Sequence, residues 1–152
     1  MTEINYWLMK SEPEAYSIDT LKNDGITLWD GIRNYQARNF MRNMSKGDKV
    51  FFYHSNCFPP GIVGLMEVIE TNIVDPTQFD KESKYFDPKS NPENPRWDCV
   101  KVKYLSKSTD ILSLPELKSL FSEDELLVVK KGNRLSILPV RDDIAKILLE
   151  KI

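Results

Sequence analysis

Residues 47–70, GDKVFFYHSNCFPPGIVGLMEVIE, decide how the chain is read. Gly47-Asp48 is a turn signal. KVFFYH (49–54) is dense in aromatic and β-branched residues, the composition of a strand. SNCFPPG connects it to IVGLMEVIE (62–70), a second strand, so the stretch predicts a long antiparallel hairpin. Working outward, NYWLMK (5–10) predicts another strand, ended by Pro13. Ser17 then caps a short helix through SIDTLK. Downstream, residues 71–96 carry DPTQFD, YFDPKS and NPENPR. A segment this long and proline-rich inside a compact domain is usually functional or partly disordered. Phe79, Tyr85 and Phe86 give it enough apolar surface to pack down, so an ordered flap is expected. VKVKY (100–104) alternates like a half-buried strand, and LPELKSLF like a short helix. LLVVKKGNRLSILPV (126–140) predicts strand, turn at Gly132-Asn133 and strand; RDDIAKILLEKI closes as an amphipathic helix through Ile144, Ile147, Leu148 and Lys151. Strands mixed with short helices, without regular βαβ alternation, point to an α+β class: a curved antiparallel sheet or small barrel decorated by helices.

The 152 residues suit one domain, 1–152. Twenty-one basic against 23 acidic side chains leave a net charge of -2, so any nucleic-acid contact must come from a local patch. Two cysteines, Cys57 and Cys99, and one histidine, His54, without a CxxC pair, argue against a structural zinc site and for a reduced, intracellular chain. MTEINYW lacks the basic start and apolar run of a signal peptide, and no apolar stretch approaches a membrane span. The expectation is a soluble, cytoplasmic monomer without metal or cofactor.

WDGIRNYQARNFMR (29–42) holds the most informative pattern. Asp30-Gly31 is a turn signal, and 34–44 is helical by period. Ala37, Phe40, Met41 and Met44 form one apolar face; Tyr35, Arg38, Asn39 and Arg42 form the other. Trp29, Tyr35, Phe58 and Trp97 are able to stack on a base, and Ser11, Asn34, Asn39, Ser55 and Asn56 to read its polar edge. Arg33, Arg38 and Arg42 are able to hold phosphates. The plain alternative is equally consistent with the pattern: tryptophans in a core and a wetted helix face. Trp29 in particular fits either reading. His54 with Cys57 lacks the strand-to-helix elbow of a nucleophile, and the carboxylates Asp75, Asp80, Asp87, Glu93 and Asp98 are not made to converge by spacing. KKGNR (130–134) is a turn whose Lys130, Lys131 and Arg134 offer cations to phosphate.

Six blocks in order, WLMKSEP, WDGIRNYQARNFMR, GDKVFFYHSNCFPPGIVGLMEV, DPTQFD, PRWDCVKV and KKGNRLSILPV, together resemble the EVE domain family of the PUA-like superfamily. The likeness runs from Tyr6 to about Val140. It implies a small curved β-barrel of about five to six mostly antiparallel strands, surrounded by short helices and similar in architecture to YTH domains. It also implies a non-enzymatic reader of a modified base in DNA or RNA. Carried onto this chain, the pocket would draw on Trp7, Lys10, Ser11, Glu12, Trp29, Asn34, Tyr35, Arg38, Asn39, His54, Ser55, Asn56, Trp97, Arg134, Leu135 and Ser136. Without the basic extension of the eukaryotic members, a bacterial, cytoplasmic protein is expected, or a nuclear one if eukaryotic. Two rival expectations are an enzyme acting on nucleotides or RNA through His54, and a protein-interaction module using the 71–96 flap.

Overall fold

A computed structural model describes residues 4–152. Residues 1–3, at the start of the segment read as leaderless, lie outside the described residues. In chain order the elements are β1 (Tyr6–Ser11), α1 (Ile18–Asp24), β2 (Ile26–Leu28), α2 (Tyr35–Arg42), β3 (Lys49–His54), β4 (Gly61–Val74), β5 (Asp98–Ser113), α3 (Leu114–Leu120), β6 (Ile137–Val140) and α4 (Asp142–Lys151). Short 3-10 turns occupy Pro76–Phe79 and Leu127–Val129. The six strands form one mixed sheet in the order β2-β5-β4-β3-β1-β6. Only β1 and β3 pair in parallel, which the crossover through α1, β2 and α2 permits. Register shifts recur along β4 and β5, and such bulges bend a strand and increase its twist.

KVFFYH explains the two-layered core. Successive side chains of a strand point to opposite faces. Val50 and Phe52 therefore join Trp7, Met9, Ile18, Ala37 and Met41 in one apolar cluster, under α1 and α2. Phe51 and Tyr53 join Leu8, Leu117, Ile144 and Leu148 in a second, under α3 and α4. A strand covered on both faces reads as a continuous apolar run. Each large side chain buried this way stabilises the fold by about 1.5–3 kcal/mol of transfer free energy.

The α+β class stands, but the barrel expectation is corrected: the ladder ends at β2 and β6, and the sheet is open. The β3–β4 hairpin forms as expected. The two strands expected at 62–70 and 100–104 are longer, running into each other's flanks as β4 and β5, so residues 71–74 belong to a strand and the flap is the tip, 75–97. The strand expected at 126–129 is a 3-10 turn instead. Leu126, Val128 and Val129 all bury into the second cluster, and two neighbouring side chains on one side do not fit a period of two. The three-residue edge strand β2 was not anticipated; ITL is too short to carry a pattern.

Candidate functional site

The flap is tied down by one carboxylate and one amide. Asp75, fully buried, accepts the Gly31 amide at 2.8 Å, Arg33 Nη1 at 3.0 Å and the Thr77 amide at 2.8 Å. Arg33 also donates Nε to the Tyr85 carbonyl at 2.9 Å and Nη2 to Thr77 Oγ1 at 3.0 Å. Gln78, fully buried, donates to the Asp75 and Trp97 carbonyls at 2.7 and 2.8 Å. Its Oε1 accepts from Ser90 Oγ and from the Arg96 and Trp97 amides. The expected ordered flap thus has a hydrogen-bonded frame, and Arg33 is a strut within it.

This frame closes a cavity of about 600 Å3. The end of β1 contributes Lys10, Ser11 and Glu12; the turn before α1 contributes Tyr16; β2 and its exit contribute Thr27, Trp29, Asp30 and Gly31; the flap contributes Lys84 and Tyr85. Gly31 has φ +80°, and a Cβ there would meet the Tyr85 ring at 2.6 Å, so glycine lets the flap aromatic close the wall. Ser11 Oγ donates to the Tyr16 carbonyl at 2.7 Å and fixes the turn that presents the Tyr16 ring. Trp29 is both a core residue and a wall of the cavity. It is 7% exposed and packs edge-on against Phe52 at 5.4 Å and Tyr16 at 6.4 Å, yet one side lines the cavity.

The cavity's polar groups are acidic and basic together. Burial raises the Asp30 carboxyl above the usual carboxylate range, and neighbouring Asp75 adds to the rise. Burial lowers the Lys10 ammonium. Both charged forms lose hydration there, which is the condition for a strong interaction with a ligand that supplies the missing partner. Glu12 Oε1 accepts from Asn56 Nδ2 at 3.2 Å.

A second cluster lies on α2 and the end of the flap. Tyr35 stacks on Trp97 with ring centroids 4.8 Å apart and planes 23° from parallel. Trp97 is 4% exposed, and its Nε1 donates to Asp87 Oδ2 at 2.7 Å; this bond holds the Asp87 carboxyl below its ordinary value. Arg38 sits against both rings and donates to the Arg96 carbonyl and to Asn39 Oδ1.

The remaining expected site residues are dispersed by the fold. Trp7 is core, with Nε1 donating to buried Asp48 at 2.9 Å. Asn34 is the N-cap of α2, accepting the Ala37 amide at 2.9 Å. Arg42 pairs with Asp98. His54 Nε2 accepts the Ile18 amide at 3.1 Å, and burial lowers its pKa. That nitrogen is occupied at the start of α1, away from the role of general base. The Ser55 amide bonds the Ser11 carbonyl at 3.0 Å. Leu135 packs on the second core cluster, and the Ser136 carbonyl accepts the Lys10 amide. Lys130, Lys131 and Arg134 are exposed and do not line the cavity. Both cysteines are free thiols, and among the described residues no group of His, Cys, Asp and Glu is arranged to hold a metal ion.

Sequence reasoning missed Tyr16, Thr27 and Lys84 in the cavity, and the structural roles of Asp48 and Asp75. It took Asp30-Gly31 only as a turn and Tyr85 only as packing. The signal in the sequence was a glycine two residues after a tryptophan, and an aromatic flap with no apolar run of its own.

The EVE domain model matches residues 5–151. The chain belongs to the EVE domain family. Human thymocyte nuclear protein 1 is 41% identical over 91% of this EVE domain and 70% of its own length. The chain spans just over half the length of the rat, mouse and zebrafish proteins of that name, 53–56%. Among solved structures, a Pseudomonas syringae protein matches with TM-score 0.91 at 43% identity, over 97% of this chain and 99% of that one. The crystal structure of human THYN1 in complex with 5-methylcytosine-containing DNA matches with TM-score 0.89 at 39% identity, over 96% of both chains. This EVE domain thus shares its fold, over nearly its whole length, with a DNA-binding relative.

Proposed function

We propose that this EVE domain is a DNA-binding module that takes a modified base, of the 5-methylcytosine kind, out of the stack and into the cavity. The observation that carries the reading is the cavity itself. It lies within the about 300–1,000 Å3 range of small-ligand pockets and has three aromatic walls, Tyr16, Trp29 and Tyr85. The DNA complex of the human relative supports the choice of partner. 5-Methylcytosine offers an amino donor, ring and carbonyl acceptors, and a methyl group. Asp30 and Glu12 are acceptors for the amino group, Lys10 a donor for the carbonyl, and Ala15, Leu28 and Ile32 an apolar bed for the methyl. Extruding a base costs a few kcal/mol, and stacking it on an aromatic returns about 1–3 kcal/mol. Selectivity then rests on the polar groups, since every base has a π-face.

Titration of intrinsic Trp fluorescence with oligonucleotides checks this, because Trp29 forms a wall. A saturable change is expected with 5-methylcytosine DNA at low salt, weaker with unmodified DNA. The absence of a saturable signal for any modified base, in DNA or in RNA of the same sequence, would sink the reading.

A further inference from the structure

The Tyr35–Trp97–Arg38 cluster has features that packing alone does not require. Tyr35 is 51% exposed although it stacks on a buried tryptophan. Arg38 Cζ lies 4.7 Å from the Tyr35 centroid and 5.7 Å from that of Trp97, while the two rings are 4.8 Å apart. Those three lengths make a nearly equilateral triangle. A guanidinium on the outer face of Tyr35 would lie about twice the ring spacing from Trp97. Arg38 therefore sits at the side of the stack and does not cover the outer face of the half-exposed Tyr35.

The charge of Arg38 is also unbalanced. Arg33 is paired with Asp75 and Arg42 with Asp98. Arg38 is held by neutral acceptors, the Arg96 carbonyl and Asn39 Oδ1, and among the described residues it makes no ion pair. Of its five N–H groups these bonds use three, leaving one on each Nη. Burial and the nearby Arg42 work against its charge, and Asp98, the partner of Arg42, and Tyr35 favour it less strongly. A rigidly held cation with no ion pair of its own beside an exposed aromatic ring suits one ligand: a nucleotide, its base on the ring and its phosphate on the guanidinium.

The cluster is also joined to the cavity. Arg33 Cζ lies 5.7 Å from the Tyr85 ring, which lines the cavity, and 5.3 Å from Trp97, which carries Tyr35. These steps place the Tyr85 and Tyr35 ring centres no farther apart than about five times the 3.4 Å per-strand rise of B-form DNA, so a few nucleotides of one strand are enough to join the two places.

We propose that Tyr35, Trp97 and Arg38 form a second nucleotide subsite, which stacks an unpaired base flanking the cavity-bound one and holds its phosphate. The subsite accepts any base, since stacking carries no sequence information. Its placement on the same strand rests on the reading of the cavity as the acceptor of the modified base.

The test uses single-stranded DNA with one 5-methylcytosine and a 2-aminopurine one to five nucleotides away, whose fluorescence is quenched on stacking. Quenching is expected at one of these positions with the native protein. Tyr35→Ala should abolish it and weaken the oligonucleotide about 5- to 150-fold more than the nucleoside 5-methyldeoxycytidine, the range of one lost base stack. Tyr35→Trp should restore it. Arg38→Gln should lower the slope of log affinity against log salt by about 0.7, the share of one phosphate contact on a single strand. Unaltered quenching in Tyr35→Ala, or equal losses for oligonucleotide and nucleoside, would overturn the proposal. Failure of the nucleoside to bind while Tyr35-dependent quenching persists would remove the cavity reading and leave this one standing.

Discussion

The cavity and the α2 stack are built from the same kinds of residue, aromatics with charged neighbours, and they are held in opposite ways. Trp29 reaches the cavity from the core, and its neighbours are pinned by backbone: the Gly31 amide on Asp75, the Tyr85 carbonyl on Arg33. The stack is carried on a helix face, with only Trp97 sunk into the body. The cavity has two carboxylates among its walls, Glu12 and Asp30, and two lysines. The stack has an arginine whose partners are neutral. A walled, acceptor-bearing space suits choice between bases, whereas an open ring beside a cation suits grip without choice. On the proposed reading, selectivity and affinity are divided between one buried aromatic group and one exposed one.

The largest effect on this contrast should come from Asp75→Ala. It removes the carboxylate paired with Arg33 and leaves the Gly31 amide without its acceptor, so the flap is held to residues 29–33 only by the Arg33 bonds to the Tyr85 carbonyl and Thr77. Removing one partner of a buried pair costs about 3–5 kcal/mol; Arg33 keeps some contact with water, so the lower end is expected in urea unfolding. Cavity binding should be lost with it. A variant with native stability and native binding would mean the flap is held by something else.

A cleaner separation is expected from Gly31→Ala. The strain of a non-glycine residue at φ +80°, about 1–2 kcal/mol, adds to the displacement of the Tyr85 ring. Affinity for the free nucleoside should fall while Tyr35-dependent 2-aminopurine quenching survives. Equal damage to both readouts would show that the two regions are one site.

The smallest effect is a pH dependence confined to the cavity. Asp30 is raised from 3.8 in the folded protein, so the folded state holds its proton more tightly than the unfolded chain. The folded state is therefore disfavoured progressively as pH rises from 3.8 through the raised value, and the penalty is constant above it. Asp30→Asn should be neutral at the acid end and slightly stabilising near pH 7, read as a difference in urea midpoints. An identical pH profile in the two proteins would place the carboxyl in free solvent.

What was legible in the chain was what short-range periodicity encodes. KVFFYH announced a strand, and the structure buries it on both sides, with Phe51 and Phe52 in different clusters. The helix over 35–42 divides as its spacing requires, with Ala37 and Met41 buried and Tyr35 and Arg42 exposed. The candidate site was legible in part: Lys10, Ser11, Glu12 and Trp29 do meet at one cavity. The rest of the expected set was spread elsewhere because a residue type does not say which partner it will find. Asn34 found a helix amide, His54 the start of α1, and Trp7 the carboxylate of Asp48.

The sequence by itself therefore determined the alternation of strands, the two faces of α2 and the β3–β4 hairpin, all properties of neighbours a few positions apart. Tertiary structure alone decided which arginine became a strut and which kept its charge open. Arg33 and Arg38 sit on the same short stretch, yet Asp75 lies 42 positions from the first and the Arg96 carbonyl 58 from the second. Pairings at that separation are set by where the sheet brings the flap back, and no local pattern encodes them.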